Sequence, residues 1–344
     1  MRARGILVFA AGICLTCAIC WLTWTDQSAH ARADFQRDTG RIVRDTEVRL
    51  QTYFDMLHSV KAMYALDDRI DRARFHRFIG ELRLDQRYPG FQTIQFVRAV
   101  PAAQLEAYAA SVRADVSVAP DGYPGFRIHP VTHAPVHYII EYNEPHQGNE
   151  NAFGLDLAAL PLHLRAIEMC RDSGEIVATE PLTLVQDASG EPGFVARAPL
   201  YRQGVTLDTA AQRREALVGF VAIVFRANAL MREVIDGALL EHLRVRIEDG
   251  GYVNGAMTVR ADTDLLLYDS AGKAGAPPRN AEPAALVAEK ILEVGQRRWL
   301  LRFEGRDGAR YGDAWALVLV IGAAGLIISA LLAALLMLTP VRRV

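Results

Sequence analysis

Two uninterrupted apolar runs bound the chain. Gly5–Trp24 and Trp315–Leu338 contain no charged residue. Each holds at least the ~20 residues that cross a ~30 Å hydrocarbon core as a helix. Between them the apolar positions change period. From Thr25 to about Leu66 there is no proline, and Gly40 is the only glycine. Phe35, Ile42, Leu50, Leu57 and Tyr64 recur every seven or eight residues, which predicts a long helix continuing the first span. This stripe is either the buried face of a helix packed on its own domain or the seam of a dimer. Thr39 and Thr46 interrupt it.

Past residue 70 the pattern alternates. Helices are predicted over Arg72–Leu84, Ala102–Arg113, Ala158–Arg171 and Ala227–Leu239. The third is closed by Asp172-Ser173-Gly174. Strands are predicted at Phe91–Arg98 after a Tyr88-Pro89-Gly90 turn, at His137–Tyr142, Ile176–Thr179, Leu182–Gln186, Phe194–Tyr201, Leu217–Phe225, Leu243–Glu248, Leu265–Tyr268 and Arg298–Glu304. Ala271–Pro283 reads as a loop, and Asp187-Ala188-Ser189-Gly190 and Gly250-Gly251 as turns. Strands with interspersed helices and hairpin returns indicate an α+β fold with antiparallel sheets. The strands fall into two groups, before and after about Phe225.

Charge sets the topology. Arg2 and Arg4 precede the first run, and Arg342 and Arg343 follow the second, so both termini are expected in the cytoplasm. Asp26 and Asp313 lie on the far side, and Trp21, Trp24 and Trp315 would sit at the outer interface. Ala29-His30-Ala31 and Ala31-Arg32-Ala33 are passable cleavage sites. The first run exceeds the length of a usual signal core, however, and reads as an uncleaved anchor. The net charge of the 344 residues is −2, which excludes an electrostatic nucleic-acid binder. With 51% hydrophobic and 8% aromatic residues, the chain is not disordered.

Catalytic and metal chemistry find little support. Cys14, Cys17 and Cys20 lie in the first span, where thiolates are costly, and read as packing residues. Cys170 alone lies between the spans, so no internal disulfide is expected there. His129, His133 and His137 are four apart, but Pro130 and Pro135 exclude a helical metal pair. No nucleophile–base set, phosphate loop or zinc-protease signature is present, and the chain reads as no enzyme, with no cofactor.

The middle of the chain resembles a known family. Tyr88-Pro89-Gly90-Phe91-Gln92, Val97-Arg98, Val100-Pro101, Gly125-Phe126-Arg127-Ile128-His129-Pro130 and Gly154-Leu155-Asp156 open the match. Cys170-Arg171-Asp172-Ser173-Gly174, Thr183-Leu184-Val185-Gln186, Gly193-Phe194, Pro199-Leu200-Tyr201 and Leu217-Val218-Gly219-Phe220 continue it, over about Phe75–Leu240. In this order, between two spans, they resemble the CHASE domain, the extracytoplasmic sensing module of histidine kinases and nucleotide cyclases. The resemblance implies a long helix followed by two PAS-like antiparallel-sheet domains, with the ligand in the membrane-distal one. The expected division is 1–4 tail, 5–24 span, 25–70 stalk helix, 71–225 distal domain, 226–314 proximal domain, 315–338 span and 339–344 tail.

The resemblance also implies a pocket among Ile94, Phe96, Tyr138, Ile140, His163, Thr179, Leu184, Arg197 and Tyr201. His163 falls where plant members carry the carboxylate that holds adenine, Arg197 falls on a pocket hydroxyl, and Thr179 keeps a pocket threonine. A cation in place of an acceptor argues against cytokinin and for an anion such as a carboxylate. The alternative is that Arg197 is a solvated or salt-bridged strand residue. The expected function is a membrane-anchored ligand sensor acting in signal transduction. A homodimer and a separate kinase or cyclase partner are compatible with it, since six residues after Leu338 cannot form an output domain. A truncated receptor and an envelope binding protein without signalling are the alternatives.

Overall fold

The computed structural model describes residues 2–66, 71–84, 90–184, 190–255, 265–272, 286–306, 310–311 and 315–338. Several of the residues read above lie outside these: Tyr88 and Pro89 of the turn, Val185–Gln186, residues 187–189, most of the 271–283 loop, Asp313, the 339–344 tail with Arg342 and Arg343, and the side chain of Arg2.

Helix α1 runs unbroken over Arg2–Leu66, through the first span and beyond it. Its apolar stripe is buried within its own chain: Phe35, Ile42, Leu50, Leu57 and Tyr64 are all under 9% exposed. Thr39 and Thr46 share that face and are fully buried, and Thr46 returns its hydroxyl proton to the Ile42 carbonyl. Backbone bonding lets a threonine sit in an apolar stripe, so the two do not break it. The outward face carries Arg37, Arg41, Arg44, Asp45, Glu47, Gln51 and Asp55. The stripe is therefore a core face and not a dimer seam.

Helix α2 (Arg72–Leu82) starts at an Asp71 cap that accepts from the Arg74 N–H. Then come β1 (Phe91–Pro101), α3 (Leu105–Arg113), β2 (Val136–Glu144), α4 (Pro161–Ser173), β3 (Val177–Ala178), β4 (Leu182–Thr183), β5 (Pro192–Tyr201), α5 (Ala210–Ala216) and β6 (Leu217–Arg226). The predicted helix at 227–239 is two helices, α6 (Ala227–Val234) and α7 (Gly237–Leu240), because Asp236 caps the second. Last come β7 (Leu243–Tyr252), β8 (Leu266–Asp269), β9 (Val287–Val294), β10 (Arg297–Gly305) and α8 (Trp315–Leu338). α5 and β9 were not predicted. β9 has Glu289, Lys290 and Glu293 among its eight residues and lies at a sheet edge, so its apolar alternation is diluted.

The strands form two antiparallel sheets. The distal one has the order β2-β1-β6-β5-β3, with β4 also on β5. The proximal one has the order β8-β7-β10-β9. Both stack on α1 and share one core, in which Ile94, Phe96, Ile223 and Phe225 of the distal sheet meet Val245, Leu301 and Phe303 of the proximal. Phe194 and Trp299 join the sheets edge to face at 4.9 Å. The other face of the distal sheet is covered by α4 through Ala166, Ile167 and Cys170, which meet Val97, Tyr138, Ile140 and Phe220.

At the base of α1, Tyr311 donates to Asp38 Oδ2 at 2.5 Å and Arg310 donates to the same oxygen at 2.9 Å. Phe35 packs edge-on against the Tyr311 ring at 5.5 Å. The chain entering α8 is thus latched to α1. In the spans, Ser329 closes on Gly12 and Thr16 on Gly325, where a Cβ added to either glycine would meet a hydroxyl oxygen at 2.3 Å. Small residues let two membrane helices approach in this way. Cys20 faces α8, 3.6 Å from the Val318 carbonyl, while Cys14 and Cys17 face outward.

Candidate functional site

The face of the distal sheet beneath α4 carries a row of residues in register. Asn143 of β2 pairs with Gln95 of β1, Gln95 with Ala222 of β6, Ala222 with Arg197 of β5, and Arg197 with Val177 of β3. Paired residues share a face, so three polar side chains, one small one and Val177 lie across five strands. All are buried: Asn143 and Gln95 at 2%, Arg197 at 0%.

Arg197 lies at the centre of the site. It runs under α4 from Cys170, whose S–H donates to the Arg197 carbonyl at 3.3 Å, to His163 two turns earlier. Its Nη2 donates to His163 Nδ1 at 2.5 Å. A guanidinium only donates, so Nδ1 must be the bare nitrogen and His163 is neutral. Burial, and then the Arg197 charge, hold His163 well below its ordinary pKa. Arg197 Nε and Nη1 are buried with no hydrogen-bond partner among the described residues. Burial pushes the Arg197 pKa down to about 10, and no carboxylate opposes that shift. Burial likewise pushes the Cys170 thiol up to about 12, which keeps it a neutral donor. Arg197 is thus not solvated, and it has no salt bridge among the described residues.

The structure divides the nine residues expected to line a pocket. Arg197 and His163 are in contact, and Ile140 and Tyr138 line the same face. Leu184 packs with Val195, Ala222 and Val224 beside Arg197 on that face. Thr179 is at its edge, but its Oγ1 accepts from the Val195 N–H at 3.0 Å and extends the β3 ladder. Tyr201 donates to the Arg171 carbonyl at 2.6 Å, and Arg171 Nη1 donates to the Tyr138 hydroxyl at 3.2 Å. These two tyrosines brace the far end of α4. Burial raises the pKa of both.

Ile94 and Phe96 are on the opposite face. Phe96 stacks on Tyr64 of α1 and on Tyr142, each at 5.2 Å. The reason is a bulge. Phe96 opposes Tyr142, and the next residue, Val97, opposes Ile140, so Glu141 is the extra residue on β2. It turns Tyr142 and Ile140 to opposite faces, and its carboxylate pairs with Arg98. Gln95, Asn143 and Ala222 were missed. The strand alternation could have flagged Gln95, a polar residue within FQTIQFV, but not the partners that face it.

The spaced histidines do not assemble. His137 is buried and its Nδ1 meets Asp156 Oδ2 at 2.7 Å, while Asp156 Oδ1 accepts from the Tyr138 and Ala158 N–H groups. This ties the 145–160 loop to β2. His129 bridges to Leu155, and His133 is exposed. No metal-binding cluster occurs among the described residues. An open groove lies at the junction of the two sheets with α1, lined by Phe54, His58, Glu175, Ile176, Glu293 and Gly295.

Similar proteins were found at two levels. Among solved structures, an extracellular ligand-binding receptor from Desulfohalobium retbaense aligns over 80% of this chain at 10% identity and TM-score 0.42, and the chain spans 40% of its length. The ligand-binding domain of the Pseudomonas aeruginosa amino-acid chemoreceptor PctC, in complex with GABA, aligns over 77% of this chain and 95% of its own, at 15% identity and TM-score 0.40. The periplasmic sensory domain of the Campylobacter jejuni chemoreceptor Tlp1 aligns over 81% and 93%, at 11% identity and TM-score 0.41. No curated protein matches the sequence. The family pattern described as "CHASE domain" matches residues 68–266, more than half of the chain, including all of the distal sheet and part of the proximal one. With that match spanning the whole distal sheet, α4 and Arg197, the chain belongs to the CHASE domain family of extracytoplasmic sensing modules.

Proposed function

We propose that the protein is a two-pass membrane sensor that binds a small anionic ligand, carboxylate in type, between the distal sheet and α4, with Arg197 as its principal partner. The observation that carries this reading is a fully buried guanidinium with two unpartnered nitrogens and only a neutral imidazole beside it. A buried cation without a counter-charge is costly, and a bound carboxylate both offsets that cost and fills a forked donor geometry. His163 is only partly buried as a residue and lies on the outer side of Arg197. The chain is read as sensory and not catalytic. Both termini lie in the cytoplasm, and residues 25–314 lie outside it.

The route to the membrane follows from packing. The reverse face of the Arg197 sheet rests on α1, and α1 is continuous with the first span. Asp38, Tyr311 and Arg310 tie the same helix to the second span. A shift of the distal sheet therefore loads both spans together.

The test uses the full chain in lipid nanodiscs. Small mono- and dicarboxylates should raise its melting temperature, and their neutral amides should not. Arg197→Ala should weaken binding by about 2 kcal/mol, roughly thirtyfold, whereas Arg202→Ala, on the exposed loop after β5, should change little. Equal small effects from both would sink the assignment. Reporter fusions at residue 344 and near Gly190 should report opposite compartments. A cytoplasmic signal from the Gly190 fusion would overturn the topology.

A further inference from the structure

Tyr252 ends strand β7 of the proximal sheet, yet its ring packs into the distal cluster beneath α4, with Val97, Ile140, Cys170, Val177 and Phe220. A chain of backbone contacts carries it there. The β9–β10 turn, Gly295-Gln296, has both residues at positive φ. The Gly295 carbonyl accepts from the Ala178 N–H at 2.8 Å, next to the residue that pairs with Arg197. A Cβ at Gly295 would sit 2.8 Å from that same nitrogen, so only glycine permits the approach. Arg297, which follows the turn, pairs across the ladder with Tyr252. Its guanidinium lies 4.2 Å from the centre of the Tyr252 ring.

Arg297 is held by a carboxylate, and only its Nη1 lacks a hydrogen-bond partner among the described residues. It is 2% exposed and forked onto Asp249, with Nε to Oδ1 at 3.0 Å and Nη2 to Oδ2. It can only donate, so it cannot take the Tyr252 proton. The Tyr252 hydroxyl is buried with no acceptor among the described residues. Buried donors without an acceptor among the described residues thus come from both sheets: Arg197 Nε and Nη1 from the distal one, and the Tyr252 O–H and Arg297 Nη1 from the proximal one. Buried donors left unpaired each cost free energy. Burial raises the Tyr252 pKa, so the hydroxyl keeps its proton across the physiological range.

We infer that Tyr252 is a ligand-binding residue: its hydroxyl donates to the same anion that Arg197 holds, so the ligand bridges the distal and proximal sheets. This rests on the Arg197 site proposed above and adds to it a residue outside the distal sheet. The class of ligand narrows accordingly. It needs an anionic group with at least two acceptor oxygens, one for the guanidinium and one for the phenol, and an apolar remainder for the Ile140, Val97 and Phe220 surface. Bridging would draw the Gly295 turn onto β3 and make the proximal sheet report occupancy.

The experiment titrates sodium acetate, sodium succinate and inorganic phosphate into the full chain in nanodiscs, by calorimetry and by melting. The proteins are wild type, Tyr252→Phe, Arg197→Met and the double variant. Tyr252→Phe keeps the ring over Arg297 and removes only the hydroxyl. It should melt no lower than wild type without anion and weaken the best-bound anion by about tenfold. The double variant should bind no more weakly than Arg197→Met, since both groups act on one anion. Exchange of the Ala178 amide should slow with anion in wild type and not in Tyr252→Phe. If binding depends on Arg197 but is equal in wild type and Tyr252→Phe, the bridging inference is wrong and the Arg197 site stands. If no anion binds in an Arg197-dependent way, the Arg197 site falls and the bridge falls with it.

Discussion

Replacing Arg197 with methionine should make the ligand-free protein more stable. Methionine keeps an unbranched side chain of similar reach but brings no charge under α4. Burial lowers the Arg197 pKa from 12.5 to about 10. At about 1.36 kcal/mol for each pKa step, the charged form stands roughly 3 kcal/mol above its solvated reference. The variant loses one hydrogen bond, from Nη2 to His163, worth about 1 kcal/mol. His163 is partly open to solvent and can bond water instead. The net gain is about 2 kcal/mol, or roughly 4–8 °C in melting temperature for a domain of this size. Calorimetric melting of both chains in nanodiscs, without added anion, reads it. A melting temperature unchanged or lowered would refute the reasoning, because it would mean that Arg197 is already compensated in the folded chain. The expected rise would mean that the sensor gives up stability to keep a preformed anion site, as functional sites commonly do.

Three further outcomes follow. His163 titrates below its ordinary 6.5 in the folded chain, so as pH falls through that value the unfolded chain takes a proton that the native one refuses. Stability should therefore drop from about pH 7 downward until the folded pKa is reached, and urea midpoints should show a shallower slope there in His163→Gln; an identical slope would rule His163 out as its source. Asp249→Ala strands Arg297 without its carboxylate in the proximal core and should cost about 3–5 kcal/mol by urea unfolding, while loss under about 1 kcal/mol would show the pair to be dispensable. Gly295→Ala adds a contact with the Ala178 nitrogen to the strain of its φ of 51°, whereas Gly204→Ala, at φ 70° with nothing within 4 Å, carries the strain alone. The first should destabilise by about 2 kcal/mol more than the second, and equal losses would mean that the turn does not bear on β3.

Much of the site's scaffold was legible in the chain because it is written in local patterns. The stripe from Phe35 to Tyr64 marks a helical face whatever that face meets. Asp172-Ser173-Gly174 closes α4, and Gly174 takes the left-handed conformation that the closure needs. Arg197 and His163 were legible as a pair through the family pattern, and they do touch. The rest of the expected set is divided between the two faces of the sheet: one bulged residue, Glu141, is enough to turn a strand over, and it separates Ile94 and Phe96 from Ile140. Nothing in the run HYIIEY signals that bulge, because it is stabilised by Arg98 on the neighbouring strand.

What the sequence determined by itself is what depends on neighbours in the chain: two charge-free runs long enough to cross a membrane, one unbroken helix leading out of the first, and an α+β segment with the motifs of a sensing domain. Hydrophobic length, helical period and turn chemistry are local properties and can be read without a fold. What only the tertiary structure decided is what depends on residues brought from afar. Thr39 and Thr46 lie in the core because the rest of the chain packs over that face of α1. Arg197 lacks a carboxylate because no strand or helix packed on it supplies one. Tyr252, 55 residues from Arg197 in sequence, enters its surroundings because a glycine turn at 295 docks on β3. Burial and the absence of a counter-charge are properties of a packed environment, and it is these that turn an arginine on a strand into an anion site.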